Sequence, residues 1–205
     1  MSEATATAGR RQRRWQDVHD RLYEAAAELF VRKGFGNTSF DEIADLADVA
    51  RKTAFNHFPR KKDFIREWGV RRRAQASAAI SAELLDHPDL EVVLRKYLAQ
   101  MASLSTEQRP LTRAMMAGWR ECGGPFDGDT HVLIEVFTDL VQAAVERGQT
   151  RQTAEPRRVA TLLYSAYFGV LFDWSEGGEP PFDLNEEFMR VLDVILGGLL
   201  NAPAD

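Results

Sequence analysis

The stretch from residue 38 to residue 58 constrains the fold of this chain most, because its pattern predicts two short helices joined by a tight turn. Thr38 and Ser39 are candidate N-caps of the first short helix, and each is followed three residues later by a carboxylate, Asp41 or Glu42. Apolar residues recur at helical spacing in the first of these two short helices. Pro59 follows the second short helix and disfavours helical geometry at Phe58.

Apolar residues at helical spacing predict that the rest of the chain is helical as well. A first helix carries such residues from Val18 to Phe30 and meets a stop signal at Gly34. Further helices are predicted to begin near residue 60 and to cover residues 90–104, 111–121, 130–147, 156–174 and 184–200. We therefore expect an all-α fold of about nine helices.

The formal charge of the chain changes sign along its length. The whole sequence carries a net charge of -5, yet residues 1–75 hold 16 Lys and Arg against 11 Asp and Glu, and residues 76–205 hold 10 against 20. Attraction to phosphate is local, because salt screens charges beyond about 8 Å. The basic N-terminal part is therefore able to bind nucleic acid, although an ordinary solvated surface would explain the same asymmetry.

Composition narrows the class of protein further. The longest apolar run, residues 194–200, is far shorter than the roughly 18 residues that suggest a membrane span. The first 14 residues lack the apolar block of a secretory signal, so we expect a cytoplasmic protein. Cys122 is the only cysteine and the histidines show no metal-ligand spacing with it, so no metal or other cofactor is expected.

A set of residues between positions 21 and 64 shares one register without a gap. Its members are Ala25-Ala26, Leu29-Phe30, Gly34-Phe35, Thr38-Ser39, Ile43-Ala44, Val49, Thr53, His57-Phe58, Lys61 and Phe64. This set resembles the DNA-binding domain of the TetR family of bacterial transcription regulators. The resemblance implies a three-helix helix-turn-helix domain at residues 15–62 and a larger helical ligand-binding and dimerisation domain at residues 63–205. Residues 1–14 are expected to form a disordered basic arm before these domains.

Three positions depart from the usual pattern of that family. Asp48 stands where the family has a glycine in the turn, and Asp tolerates the left-handed conformation better than most residues. Ala50 replaces a serine that would cap the next helix, a loss typically worth about 1 kcal/mol unless Asp48 caps instead. Phe55 stands where tyrosine is common, so a hydroxyl often directed at a phosphate is missing.

The resemblance implies that the third helix enters the major groove of DNA. Arg51, Lys52 and Asn56 would then face base edges, since Arg and Lys pair with guanine and Asn with adenine. Residues expected near the DNA backbone are Thr38, Ser39, Thr53, His57 and Lys61. The alternatives to DNA contact are that Arg51 and Lys52 lie on an ordinary solvated helix face and that His57 is a core residue. The basic run at residues 10–14 would reach a minor groove or serve as a solubilising tail.

The resemblance also implies a homodimer formed through the last two helices and an apolar effector pocket among the middle helices. Those last two helices are broadly apolar, which would suit a dimer interface or an intrachain core. Residues expected to line the pocket, or else to fill the core, are Met115, Trp119, Phe137, Tyr164, Tyr167 and Phe168. The predicted function is repression of a palindromic operator, released by a small, largely apolar effector.

Two rival functions are less favoured by the sequence. An enzyme working in the apolar cavity would need a catalytic motif, and the serine-elbow, zinc-protease, phosphate-loop and dinucleotide patterns are all absent. A helical interaction protein that has lost DNA binding would explain the missing turn glycine and cap serine. The retained Arg51, Lys52, Thr53 and Lys61 weigh against it.

Overall fold

The computed structural model describes residues 2–79, 89–124, 132–151 and 154–199. This part of the chain holds nine α-helices and no β-strand, which confirms the predicted all-α class. The helices are α1 (Ser2–Lys33), α2 (Phe40–Leu46), α3 (Arg51–His57), α4 (Lys62–Ala79), α5 (Leu90–Glu107), α6 (Arg109–Glu121), α7 (Val132–Glu146), α8 (Pro156–Ser175) and α9 (Leu184–Leu199). No helix among the described residues is long and apolar enough to cross a membrane.

The chain divides into two compact units. Unit 1 combines Met1–Gly69 with Pro110–Gly124, and unit 2 combines Val70–Arg109 with Pro125–Asp205. One boundary falls within α4 and another at the start of α6. The sequence-based boundary at residue 62 separates a predicted DNA-binding part from a predicted ligand-binding part. This functional division stays a prediction.

Helix α1 begins much earlier than its apolar stripe. It starts at Ser2 and runs through residues 10–14, which the sequence suggested as part of a disordered arm. The physical reason is that residues 2–14 contain several alanines and no proline, so nothing breaks the helix on the N-terminal side of the stripe. The described side chains from Arg10 to Arg14 are all exposed.

The core of unit 1 forms where the apolar sides of α1, α2 and α3 meet. Leu22 and Ala26 of α1, Ile43 of α2 and Ala54 of α3 are completely buried. Phenylalanines extend this core towards the start of α4, where the rings of Phe58 and Phe64 stack at 4.0 Å. Core packing of this kind fixes the position of the short third helix, which is too short to be stable alone.

Unit 2 is built mainly from α5, α7, α8 and α9. The inward faces of these helices bury Leu94, Phe137, Leu163, Leu171 and Leu192. Helix α5 is also held to α9 at the surface, where Arg95 pairs with both Glu91 and Asp193. Within this unit, the broad apolar faces of α8 and α9 are buried only in part.

Candidate nucleic-acid interface

Helix α2 begins with the capping box expected from the sequence, and the structure selects Ser39 rather than Thr38 as its N-cap. The Glu42 amide donates to Ser39 Oγ at 3.2 Å, and the Ser39 amide donates to Glu42 Oε2 at 2.9 Å. Lys33, at the end of α1, pairs with the other carboxylate oxygen of Glu42. The hydrogen bond from Lys33, reinforced by those from Ser39, lowers the pKa of Glu42 to about 2.

The turn between α2 and α3 has the geometry that the sequence led us to expect. Asp48 takes the left-handed conformation with φ of 51°, where a glycine would be unstrained. The Val49 amide returns to the Ala44 carbonyl at 2.9 Å and closes the turn. Helix α3 starts at its N-cap Ala50 with no side-chain cap hydrogen bond, so Asp48 does not replace the missing serine.

One side of α3 faces solvent and the other is buried. At 3.6 residues per turn, positions 51, 52, 55 and 56 fall within one arc of less than half the helix circumference. These four residues are exposed, whereas Ala54 and the C-cap Phe58 are buried. The three residues predicted to face base edges therefore lie together on the exposed face, with Phe55 among them.

Side chains from α2 support this exposed face. Arg51 Nη1 donates to Asp41 Oδ2 at 2.9 Å, and its guanidinium lies 5.6 Å from the centre of the Phe55 ring. Phe55 in turn stacks on Phe40 with 4.4 Å between ring centres and 13° between planes. Sequence reasoning missed both the Asp41 and the Phe40 contacts, because they join residues 10 and 15 positions apart.

Two residues predicted to lie near the DNA backbone donate hydrogen bonds to the turn between α1 and α2. Thr38 is only 2% exposed, and its hydroxyl donates to the Gly34 carbonyl at 2.8 Å. Lys61 Nζ donates to the carbonyls of Phe35 at 2.6 Å and Thr38 at 3.0 Å, and it lies 4.3 Å from the centre of the Phe35 ring. A lysine that donates to two carbonyls of a turn acts as an anchor for that turn.

The remaining residues predicted to contact the DNA backbone lie outside the exposed face. Ser39 is exposed at the start of α2, and Thr53 and His57 are half-buried on α3. Trp15 of α1 stacks on His57 at 4.7 Å and on His19 at 4.8 Å. Partial burial, and then the neighbouring His19, lower the pKa of His57, so the neutral form is favoured. Sequence reasoning did not single out Trp15, although an aromatic residue directly after a basic run is a visible signal.

The residues predicted to line an effector pocket are all buried, but they divide between the two units. Met115 and Trp119 lie in unit 1, whereas Phe137, Tyr164, Tyr167 and Phe168 lie in unit 2. Within unit 2, the Phe168 ring contacts the rings of Tyr164 at 4.8 Å and Tyr167 at 4.9 Å. Burial raises the pKa of the Tyr167 hydroxyl.

A cavity of about 10 Å³ lies beside this aromatic group in unit 2. Phe137 and Tyr167 line it together with apolar side chains that include Leu98, Phe188 and Leu192. This volume is close to what one water molecule needs. A ligand of several carbon atoms would therefore have to displace side chains in order to enter.

A larger apolar groove of about 490 Å³ runs over the surface of unit 2 along α8 and α9. Leu162 is 61% exposed and Val194 is 78% exposed, although both are large apolar residues. Gly198 lines the same groove, and a methyl group added there would meet no atom within 4 Å. Arg151, Glu155 and Arg158 provide its polar rim.

Residues 22–68 match the family model described as bacterial regulatory proteins, tetR family. This match covers α2, α3 and the exposed face of α3, together with the C-terminal part of α1 and the start of α4. The helix-turn-helix domain of this chain belongs to the tetR family. The family inferred from the sequence is thereby confirmed, and the chain is a transcription regulator of the helix-turn-helix type.

Whole-chain comparisons agree with this family. The transcriptional repressor BepR of Brucella suis is 25% identical over 199 residues, covering 92% of this chain and 94% of the relative. The transcriptional regulator LuxR of Vibrio harveyi is 28% identical over 158 residues, covering 73% of this chain and 75% of the relative. These relatives are regulators rather than enzymes, in agreement with the class predicted from the sequence.

A solved structure extends the likeness beyond the helix-turn-helix. The tetR-family repressor FadR of Thermus thermophilus, crystallised with lauroyl-CoA, superposes with a TM-score of 0.72. It is 28% identical to this chain, and the alignment covers 91% of this chain and 98% of FadR. The likeness therefore includes the helices of unit 2 as well as those of unit 1.

Proposed function

We propose that this protein is a repressor that binds a two-fold symmetric DNA operator as a homodimer and leaves it when a small, largely apolar effector binds. The observation that carries this proposal is the exposed face of α3, where two cations and an amide are presented together on a helix supported by α2. In a helix-turn-helix, the second short helix is the element that enters the major groove.

The residues of this face divide by chemistry. Arg51 and Lys52 suit guanine O6 and N7, and Asn56 suits adenine N6 and N7. We expect Ser39, Thr53 and His57, which lie outside this face, to contact phosphates. Thr38 and Lys61 would contribute indirectly, by holding the turn before α2.

Selection of duplexes from a random pool with the full-length protein tests DNA recognition directly. An operator recovered in this way should have two related half-sites, centred about one helical turn apart. Arg51→Ala and Lys52→Ala should each relax base preference at particular positions of the operator. Arg32→Ala is the matched control, because Arg32 is an exposed cation of unit 1 that lies on α1, outside the exposed face of α3. Failure to select any sequence would contradict the proposal.

The basic end of α1 is proposed to contact DNA as well. The side chains of Arg10, Arg11, Arg13 and Arg14 are exposed. Removing residues 1–14 should lower operator affinity and flatten its dependence on salt, because fewer counterions are released. An unchanged salt dependence would show that this segment does not neutralise phosphates.

The second copy of the chain is proposed to cover the groove along α8 and α9. Leu162 and Val194 place exposed apolar area there, and Gly197 and Gly198 leave open space in which a second helix fits closely. Sedimentation of Leu162→Glu should then show monomers, whereas Val136→Glu, at an exposed apolar position of α7, should leave the dimer intact. A monomeric parent protein would refute this arrangement.

The effector is proposed to bind among the aromatic residues of unit 2, by enlarging the cavity beside Phe137 and Tyr167. The complex of FadR with lauroyl-CoA supports an acyl chain as a first probe. A 100-fold loss of operator affinity requires a coupling free energy of roughly 2.7 kcal/mol, and the operator must weaken the ligand equally. The pocket roles of Tyr164, Phe168, Met115 and Trp119 stay predictions.

Gel shifts with increasing lauroyl-CoA test this part of the proposal. Phe137→Trp should fill the cavity and abolish the response, while operator affinity without ligand stays near that of the parent. Octanoate and dodecanol, run in parallel, separate the contribution of the acyl chain from that of the coenzyme. A probe that binds unit 2 yet leaves operator affinity unchanged would refute the sensor mechanism and leave DNA recognition standing.

A further inference from the structure

The exposed face of α3 carries an aromatic ring that has no hydrogen-bonding group. Phe55 is 37% exposed, and it lies on the same face as Arg51, Lys52 and Asn56. Its ring is held parallel to that of Phe40, which in turn contacts Phe64 at 5.7 Å. A large apolar side chain is therefore presented to solvent in a fixed orientation, on the face that the proposed function assigns to DNA.

The major groove of DNA offers one prominent apolar group to such a ring. This group is the C5 methyl of thymine, and the other groove-facing groups of the bases are hydrogen-bond donors and acceptors. Phe55 has no hydroxyl to donate to a phosphate. The cations on either side of it would bring the DNA backbone close, so that the ring meets base edges.

We propose that Phe55 selects thymine in the operator through contact with its C5 methyl group. This inference rests on the proposed entry of α3 into the major groove. Arg51 sets the place of the contact, since its guanidinium lies only 5.6 Å from the centre of the Phe55 ring. Base pairs are spaced by about 3.4 Å along the helix, so the thymine lies within two base pairs of the base read by Arg51.

Phe40 has a positioning role in this contact. Stacking at 4.4 Å and 13° restricts the Phe55 ring to one plane and keeps it from folding back onto α3. Asp41 similarly restrains Arg51 through the ion pair at 2.9 Å. Phe40 and Asp41 of α2 thus restrict the positions of the Phe55 and Arg51 side chains relative to each other.

Replacement of single thymines by deoxyuridine tests the inference without changing the protein. The probe is the duplex selected from a random pool by the full-length protein, and each thymine of one half-site is replaced in turn. Deoxyuridine keeps the Watson–Crick pairing of thymine and lacks only the methyl group. At one position near the Arg51 base, the parent protein should bind the uridine duplex about fourfold more weakly, which is the usual effect of one buried methyl.

Variants of the protein then assign the effect to Phe55. The ratio of affinities for the thymine and uridine duplexes should fall to near one in Phe55→Ala and to an intermediate value in Phe55→Leu. Val31→Ala should keep the parent ratio, because Val31 is an exposed apolar residue of α1 in the same unit, 45% exposed. The ratio does not depend on the fraction of active protein, so a loss of stability in a variant leaves it interpretable.

The outcomes separate this inference from the proposed function. If the protein selects a sequence but no uridine substitution weakens binding, Phe55 does not recognise a methyl group while DNA recognition stands. The same conclusion follows if Phe55→Ala keeps the parent ratio. If no sequence is selected at all, the proposed function fails first.

Discussion

Lys61 provides the sharpest test of how this DNA-binding unit is held together. By family resemblance it is a phosphate ligand, whereas the structure directs its ammonium group to the carbonyls of Phe35 and Thr38. Lys61→Met removes the charge and its hydrogen bonds while keeping much of the aliphatic chain. The two roles predict different consequences of this substitution.

The expected loss follows from the two hydrogen bonds, which have lengths of 2.6 and 3.0 Å. Hydrogen bonds to charged groups contribute roughly 1.5–3 kcal/mol each, and values at the lower end apply to a half-buried lysine. The cation–π contact with Phe35 adds at most about 1 kcal/mol. Lys61→Met should therefore lower the free energy of unfolding of unit 1 by about 3–4 kcal/mol.

Hydrogen–deuterium exchange of peptides from residues 34–64 measures this loss in unit 1 separately from unit 2. Lys52→Met is the matched control, because Lys52 is exposed on α3. The control should leave exchange unchanged and reduce the slope of log affinity against log salt by about one. If Lys61→Met instead reduced the salt slope and left exchange protection intact, Lys61 would be a phosphate ligand and its role as an anchor would be wrong.

Three further predictions concern the same unit. Ala50→Ser should raise the free energy of unfolding by about 1 kcal/mol in urea denaturation, because α3 has no side-chain N-cap; no gain would mean that the N-terminus of α3 is satisfied by solvent. Gly118→Ala should lower it by about 1–3 kcal/mol, since the new methyl group would lie 2.9 Å from Phe35 Cβ and would displace a buried ring; an unchanged midpoint would show that the ring moves freely. The pKa of Glu42 is lowered from 4.5 to about 2. The ionised carboxylate therefore contributes its full share to the free energy of unfolding above pH 4.5, and this contribution is lost as the pH falls towards 2. Over that range the parent should lose more stability than Glu42→Gln, and parallel pH profiles of the two proteins would contradict the assignment.

Short-range patterns predicted most of the helices, although not the N-terminal part of α1. The apolar stripe and its stop at Gly34 predicted the end of α1, and the helix itself ends one residue earlier, at Lys33. The serine with a glutamate three residues later predicted the start of α2. These signals succeed because caps and helical periods depend on residues within about one turn of each other.

The same local reasoning explains the turn of the helix-turn-helix. Asp48 was expected in the left-handed region because a glycine would be unstrained there, and its φ of 51° confirms this. Local reasoning left two N-caps open, Thr38 and Ser39. Packing of the preceding turn decided between them, since the Thr38 hydroxyl bonds back to Gly34 and only Ser39 remains for α2.

The sequence by itself thus determined an all-helical chain of a known family, with a short third helix whose exposed positions carry Arg51, Lys52 and Asn56. Only the tertiary structure decided which side chains support that face. The anchoring of the α1–α2 turn by Lys61 and the stacking of Phe40 on Phe55 and of Trp15 on His57 join residues that are 15 to 42 positions apart. Such contacts carry no signal in helical period or capping, because they arise only when packing brings separate helices together.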